Sequence, residues 1–372
     1  MVLYIHELPD WPVFRWDLGS LSTQLASVSY RQGRLLGRME SLGLRESENA
    51  ELEANTLNIV KSSEIEGEVL DWSRVRSSVS RRLGIADAAV GSSDREIDGV
   101  VSMMLDATSD YAAPLTRERL FGWHASLFPA GYSGMKKLRV GAWRDDSEGP
   151  MQVVSGPVGR ENVHYEAPAA KRIEKEMAAF LAWFDDRGES THLVLRAALA
   201  HLWFVTIHPF EDGNGRIARA LADLLLARSE ESSRRFYSMS AQIRLERDDY
   251  YDRLERTQSA SSGLDVTPWL EWFLGCLDRA LQAAEETTEA VISRARLWES
   301  WTPASLNDRQ RMVLTRFLDG FEGKLTSTKW SKLAKCSQDT AWRDIQVLLE
   351  RGILGKDPAG GRSTSYSIKY LK

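Results

Sequence analysis

A histidine, an aspartate, a glycine-framed turn and two arginines fall within one twelve-residue run of this 372-residue chain. The run reads His208-Pro209-Phe210-Glu211-Asp212-Gly213-Asn214-Gly215-Arg216-Ile217-Ala218-Arg219. Imidazole titrates near neutrality, which makes His208 a candidate general base for a hydroxyl. Asp212 offers hard oxygens to Mg²⁺, an ion that takes one or two carboxylates alongside substrate phosphates. Arg216 and Arg219, three residues apart, would share a helix face and present planar paired donors to phosphate oxygens.

The flanking residues predict how these groups are held. Residues 191–207 are apolar almost all round, which suits a helix buried within a domain. His208 precedes a proline, so its backbone is expected to leave the helical region and end the helix there. Gly213, Asn214 and Gly215 predict a tight turn, and Ile217, Ala218, Leu221, Leu224 and Leu225 follow at helical spacing. Such a turn delivers free N–H groups and the positive end of a helix dipole to one point. His201 lies seven residues before His208, and with no HExxH or CxxC spacing a zinc site is not expected.

The run meets every fixed position of HPFx[D/E]GNGRxxR and so resembles the signature of the Fic family. The resemblance implies an enzyme that moves AMP from ATP to a Tyr, Thr or Ser hydroxyl of a target protein. It implies His208 as the base and Asp212 as the Mg²⁺ ligand. Gly213, Asn214 and Gly215 would form the anion cradle, with Arg216 at the β-phosphate, Arg219 at the γ-phosphate and Phe210 anchoring the loop in the core. ATP is then the substrate and Mg²⁺ the cofactor. This chemistry relies on positioning and charge neutralisation, with pyrophosphate leaving.

Residues 58–70 read NIVKSSEIEGEVL. Helical periodicity with Gly67 as terminator places Glu66 in the last turn of a helix. A solvated acidic face is the plainer reading, since Glu51, Glu53, Glu64 and Glu68 crowd the same stretch. Ser62-x-x-x-Glu66-Gly67 also resembles the family's inhibitory motif, [S/T]xxxE[G/N]. That resemblance implies autoinhibition from an N-terminal helix. Glu66 would pair with Arg219 where a γ-phosphate should sit, leaving the α-phosphate of any bound ATP misaligned for attack.

Residues 140–144 and 151–154 read as two short strands around the turn-rich 145–150, with Pro157, His164, Tyr165 and Pro168 before a helix opening near Ala169. A purely structural hairpin is one reading. The family resemblance implies another, a flap that pairs with an extended stretch of target. In 247–254, Tyr250 and Tyr251 offer flat amphipathic faces. They read either as core residues or, by the resemblance, as the border of the adenine.

Net charge is −5, which argues neither for nucleic acid nor against it. Cys276 and Cys336 are the only cysteines, which points to a reducing compartment and no disulfide framework. The start MVLYIHELPD lacks a basic region and a long apolar stretch, and Arg196 and His201 interrupt the most apolar segment. No membrane span is expected, and cytoplasm is the default expectation.

Residues 302–372 hold 13 Lys/Arg and 7 Asp/Glu, a net of +6 on a body of −11. Three helical patterns at 306–320, 328–334 and 337–351 precede two strand-like stretches, 352–355 and 365–368, around a Pro/Gly-rich loop. This resembles a winged helix-turn-helix, with Gln338, Asp339, Thr340 and Arg343 early on the recognition helix and Arg362 in the wing. Its partner reads as DNA or as a protein. Asp339 and Asp344 on the same helix weigh against DNA.

The expected fold is mainly α: an N-terminal helical segment (1–110), a Fic-type core with a short β-hairpin flap (111–290), a helical link (282–301) and a winged helix domain (302–372). Two function classes follow. One is an autoinhibited protein adenylyltransferase. The other is a DNA-binding regulator that keeps the core as a nucleotide sensor, which would need the cradle but no base, so His208 favours the first. Removal of AMP, with Glu66 positioning a water, fits the same residues. The target protein, the relieving signal and a homodimer stay open.

Overall fold

The computed structural model describes residues 3–369 apart from 86–93, 148, 157–159, 161, 187, 189, 302–305, 319–323 and 359–363, with backbone alone over 290–300. Pro157, Gly320 and Arg362 therefore lie outside the described residues. The chain is mainly helical and divides into two compact units, 1–286 and 287–372. No described helix is long and apolar enough to cross a membrane.

The first unit opens with α1 (Leu18–Glu40), α2 (Leu44–Ile65), α3 (Trp72–Leu83) and α4 (Arg95–Ser109). Next come α5 (Arg117–Leu127), a two-residue hairpin of β1 (Tyr132–Ser133) and β2 (Lys136–Lys137), and a second hairpin of β3 (Gln152–Ser155) and β4 (Asn162–Glu166). Then follow α6 (Ala170–Phe184), α7 (Leu193–Ile207), α8 (Asn214–Glu230), α9 (Met239–Leu245), α10 (Arg247–Gln258) and α11 (Thr267–Ser300), the last crossing the division between the units.

The helix starts are chemically marked. Side chains of Asp17, Asp71, Asp94, Thr116 and Ser238 each accept from backbone N–H groups in the first turn that they cap. The all-round apolar α7 is buried at every position from Val194 to Ile207. It packs against α8, and Ala197, Ala198 and Ala200 on α7 and Ala218, Ala220 and Ala222 on α8 are all buried. Both helices contribute buried residues to the core of the first unit.

Residues 140–144 are not a strand. Gly141 turns the chain at φ +68, and Arg144 is buried with its side chain hydrogen-bonded to loop carbonyls. Residues 152–155 pair instead with 162–166, antiparallel, with a register shift between Val153 and Val154.

The second unit holds α12 (Asp308–Leu318), β5 (Leu325–Thr326), α13 (Ser327–Ala334), α14 (Gln338–Glu350), β6 (Leu354–Lys356) and β7 (Ser365–Ile368). The strands form an antiparallel sheet in the order β5-β7-β6. Trp330, Val313, Leu314, Ile345 and Leu348 fill its own core. Ser337 caps α14 by accepting from Thr340 N–H. Asp344 does not face outward. It is buried between Arg309, whose Nε lies 3.1 Å from Oδ2, and Asn307, whose Nδ2 lies 3.0 Å from Oδ1.

Candidate functional site

The loop between α7 and α8 gathers the run from His208 to Arg219. His208 ends α7, but in the left-handed region (φ 51, ψ 58) rather than the extended one its following proline favours. A non-glycine residue held there is strained and persists only where its surroundings dictate it. Those surroundings are visible. Arg144 Nε donates to His208 O at 2.7 Å, Arg144 Nη2 donates to Pro168 O at 2.6 Å, and the Arg144 N–H donates to Pro209 O at 2.9 Å.

Phe210 is fully buried, its ring stacked on His124 at 4.2 Å between centroids and 7° between planes. The Asn214 side chain closes the loop on itself, accepting from Phe210 N–H at 3.0 Å and donating to Phe210 O at 2.8 Å. Gly213 sits at φ +78 against Leu127 and Phe128, where a side chain would be both strained and crowded. The first turn of α8 therefore starts in a fixed place.

His208 Nδ1 lies 3.2 Å from Val205 O. A carbonyl only accepts, so Nδ1 carries the hydrogen and Nε2 keeps its lone pair. Burial pushes this imidazole down to about 4, so the ring is neutral at pH 7. Asp212 accepts from Gly213 N–H and from the Ser133 hydroxyl on β1. Among the described residues no group of three or more His, Cys, Asp and Glu could hold a metal. An ion at Asp212 would need further oxygens from a ligand, as Mg²⁺ on a polyphosphate has.

Both arginines are occupied by carboxylates from one short turn. Helix α2 ends in a Schellman motif, with Gly67 (φ +87) donating to Glu64 O and Glu68 N–H reaching back to Ser63 O. Glu66 Oε1 accepts from Arg219 Nη2 at 2.8 Å, while Ser62 meets the same guanidinium through its hydroxyl (2.9 Å) and its carbonyl (2.8 Å). A Cβ at Gly215 would sit 2.1 Å from Glu66 Oε1, so the glycine makes room for this carboxylate. Arg216 Nη1 meets Glu68 Oε2 at 2.5 Å. Glu68, Ser133, His124 and Arg144 are site neighbours that no motif marked, because only the fold brings them there.

Helix α2 is anchored above its end. Asn58 donates to Asp223 Oδ2 at 2.8 Å and accepts from Ser238 Oγ and Ser240 N–H. Arg247 Nε and the Tyr251 hydroxyl, both from α10, reach the Ile65 carbonyl at 3.1 and 3.4 Å. Tyr251 thus touches the α2 terminus. Tyr250 is placed differently: it is 2% exposed, packs on Trp269 and Trp272, and shares a 2.9 Å hydrogen bond with His201. In this state it is a core residue with no face turned to a base. The β3–β4 hairpin joins the same region through Tyr165, whose hydroxyl donates to Thr206 O at 2.7 Å, two residues before His208.

Residues 114–226, which contain this whole loop, match the model of the Fic/DOC family. The chain carries a Fic domain. Ahead of the Fic domain, residues 4–85 match a family described as a domain of unknown function, DUF4172. A curated relative named protein adenylyltransferase Fic, from Nematostella vectensis, is 36% identical over 117 residues, covering 31% of this chain and 25% of that protein. A relative named uridine 5'-monophosphate transferase, from Xanthomonas campestris pv. campestris, is 27% identical over 168 residues, covering 42% of this chain and 29% of that protein. The chain thus spans less than a third of either relative. The fold is also that of a Fic family protein from Desulfovibrio desulfuricans G20, with TM-score 0.53, 22% identity and coverage of 95% and 97% of the two chains.

Proposed function

We propose that this protein transfers AMP from ATP to a hydroxyl of a target protein and rests in an autoinhibited state. The observation that carries this reading is the Glu66–Arg219 ion pair at the first turn of α8. A terminal phosphate seeking Arg219 must displace Glu66. Two buried donors, Arg219 Nη1 and Arg216 Nε, have no hydrogen-bond partner among the described residues. Buried unpaired donors are costly in a closed structure and suit a site that receives an anion.

In the released state His208 Nε2 takes the proton of the acceptor hydroxyl, the oxygen attacks the α-phosphorus, and pyrophosphate leaves. Arg216 and Arg219 neutralise the polyphosphate, and Asp212 supplies a carboxylate to its Mg²⁺. The two-stranded β3–β4 hairpin, with Val154 47% and Val163 42% exposed, is the proposed docking edge for an extended target segment. Of the two tyrosines, Tyr251 is the one we assign to the nucleotide border. ATP is favoured by the adenylyltransferase name of one relative, and UTP is the competing donor by the name of the other.

The test is Glu66→Gly incubated with α-labelled ATP or UTP and a lysate, with and without His208→Ala. Labelling is expected to rise about tenfold or more over wild type with ATP, as loss of a competitor worth 1.4 kcal/mol or more would give, and to vanish with His208→Ala. Labelling no higher than wild type, or indifferent to His208, defeats the reading.

We also propose that 302–372 forms a winged helix whose α14 meets DNA. With Asp344 turned inward, Arg343, Lys332 and Lys335 remain exposed on α13 and α14. A gel shift lacking any salt dependence, or no shift at 50 mM salt, would remove this reading.

A further inference from the structure

We infer that Glu68 is a second competitor for the phosphate-holding arginines, assigned to Arg216 as Glu66 is assigned to Arg219. The inference rests on the nucleotide reading above and deepens it. Gly67 separates the two carboxylates, and the Schellman hydrogen bonds fix the turn that carries them. The two guanidinium groups stand one helical turn apart on α8. One rigid turn of α2 thus meets two consecutive rungs of α8, each carboxylate on its own arginine.

The two pairs differ in what a ligand must do to break them. Arg219 is also held by Ser62 through two contacts that do not involve a carboxylate. Arg216 has Glu68 as its ion-pair partner, and its ring-stacking contact is with Phe128, 5.1 Å from the guanidinium carbon to the ring centre. The Glu68 side chain is 43% exposed and borders a cavity of about 130 Å³ lined also by Glu96, Val100, Leu127, Tyr132 and Ser133. A displaced Glu68 has somewhere to go. Burial first, and then the nearby Asp212, Glu66 and Glu96, push its carboxyl upward, against the pull of Arg216.

The consequence is a division by phosphate. Arg216 is the assigned β-phosphate contact, so Glu68 opposes nucleotides that have a β-phosphate and is indifferent to AMP. Glu66 opposes those that have a γ-phosphate. Glu68 is therefore a residue that sets nucleotide affinity, while Glu66 sets the posture of bound ATP.

The test is calorimetric titration of AMP, ADP and ATP, each with Mg²⁺, into the full chain as wild type, Glu68→Gln, Glu66→Gly and the double variant. Glu68→Gln should tighten ADP about three- to tenfold, the range expected when one partly exposed ion pair no longer competes, and leave AMP within about twofold of wild type. Glu68→Asp, which withdraws the carboxylate by one methylene, should move ADP in the same direction and serves if the glutamine variant melts early. Equal ADP affinity in wild type and both variants overturns the inference, as does an equal gain for AMP and ADP, which would mean general loosening. If Glu66→Gly binds ATP while Glu68→Gln changes nothing, the assignment of Glu68 alone fails. If none of the four proteins binds any nucleotide, the parent reading fails and this one with it.

Discussion

Arg144 donates its Nε to the carbonyl oxygen of His208 at 2.7 Å, and its guanidinium is wholly buried in doing so. Nη2 donates to Pro168 O and Nη1 to Asp146 Oδ1 at 3.0 Å. One side chain outside the motif thus holds the backbone of His208, the residue proposed as the base.

Replacing Arg144 with methionine should keep the volume and strand these acceptors. Buried acceptors left without donors cost about 1–3 kcal/mol each, partly recovered by relaxation and water, so a loss of about 2–4 kcal/mol in urea denaturation is expected. In the Glu66→Gly background transfer should also fall. Lysine should not restore it, because its three N–H donors leave a single nitrogen and cannot span acceptors that the guanidinium meets from three separate nitrogens. A variant with unchanged urea midpoint would show that the loop holds its shape without Arg144.

Asn58 is the corresponding anchor for α2. Asn58→Ala removes the donor to Asp223 and the acceptor for Ser238 and Ser240. Stability should drop by about 2–3 kcal/mol, and amide exchange over 58–66 should quicken. Because α2 carries Glu66, basal AMP transfer should rise with the motif itself untouched. Exchange at 58–66 identical to wild type would contradict this.

Acid should loosen the core before it denatures the surface. Burial lowers His201 to about 3 and His124 to about 4, and both side chains are fully buried. Their unfolded value is about 6.5, so the unfolded chain takes up protons first as pH falls. The stability they contribute by staying neutral is complete above pH 6.5. It declines as pH drops toward 4 for His124 and toward 3 for His201. At pH 5 the loss is up to about 2 kcal/mol for each. Urea midpoints at pH 7, 6 and 5 should fall steadily, with a shallower slope in His201→Gln. A level midpoint across that range would show that these rings are already charged or accessible.

Local chemistry was legible in the residues themselves. The end of α7 at His208, the glycine turn into α8, the termination of α2 at Gly67 and the cap at Ser337 each stand where neighbours within a few positions put them, although the left-handed backbone of His208 itself does not follow from its proline. Pairing and exposure did not follow from spacing. Residues 140–144 read as a short strand, yet the buried guanidinium of Arg144 finds partners in loop carbonyls. Tyr250 and Tyr251 are adjacent but enter different surroundings, since neighbours on a helix point about 100° apart. Asp344 reads as surface charge until Arg309 and Asn307 close over it.

By itself the sequence determined which chemical groups are present and where the chain must turn, because backbone conformation is governed by short-range sterics and hydrogen bonds. Only the tertiary structure decided that Glu68 meets Arg216, 148 residues away, that Ser133 meets Asp212, and that Arg144 holds His208. Those contacts depend on how whole helices pack, and packing is set by the summed shape of the core rather than by any one stretch of residues.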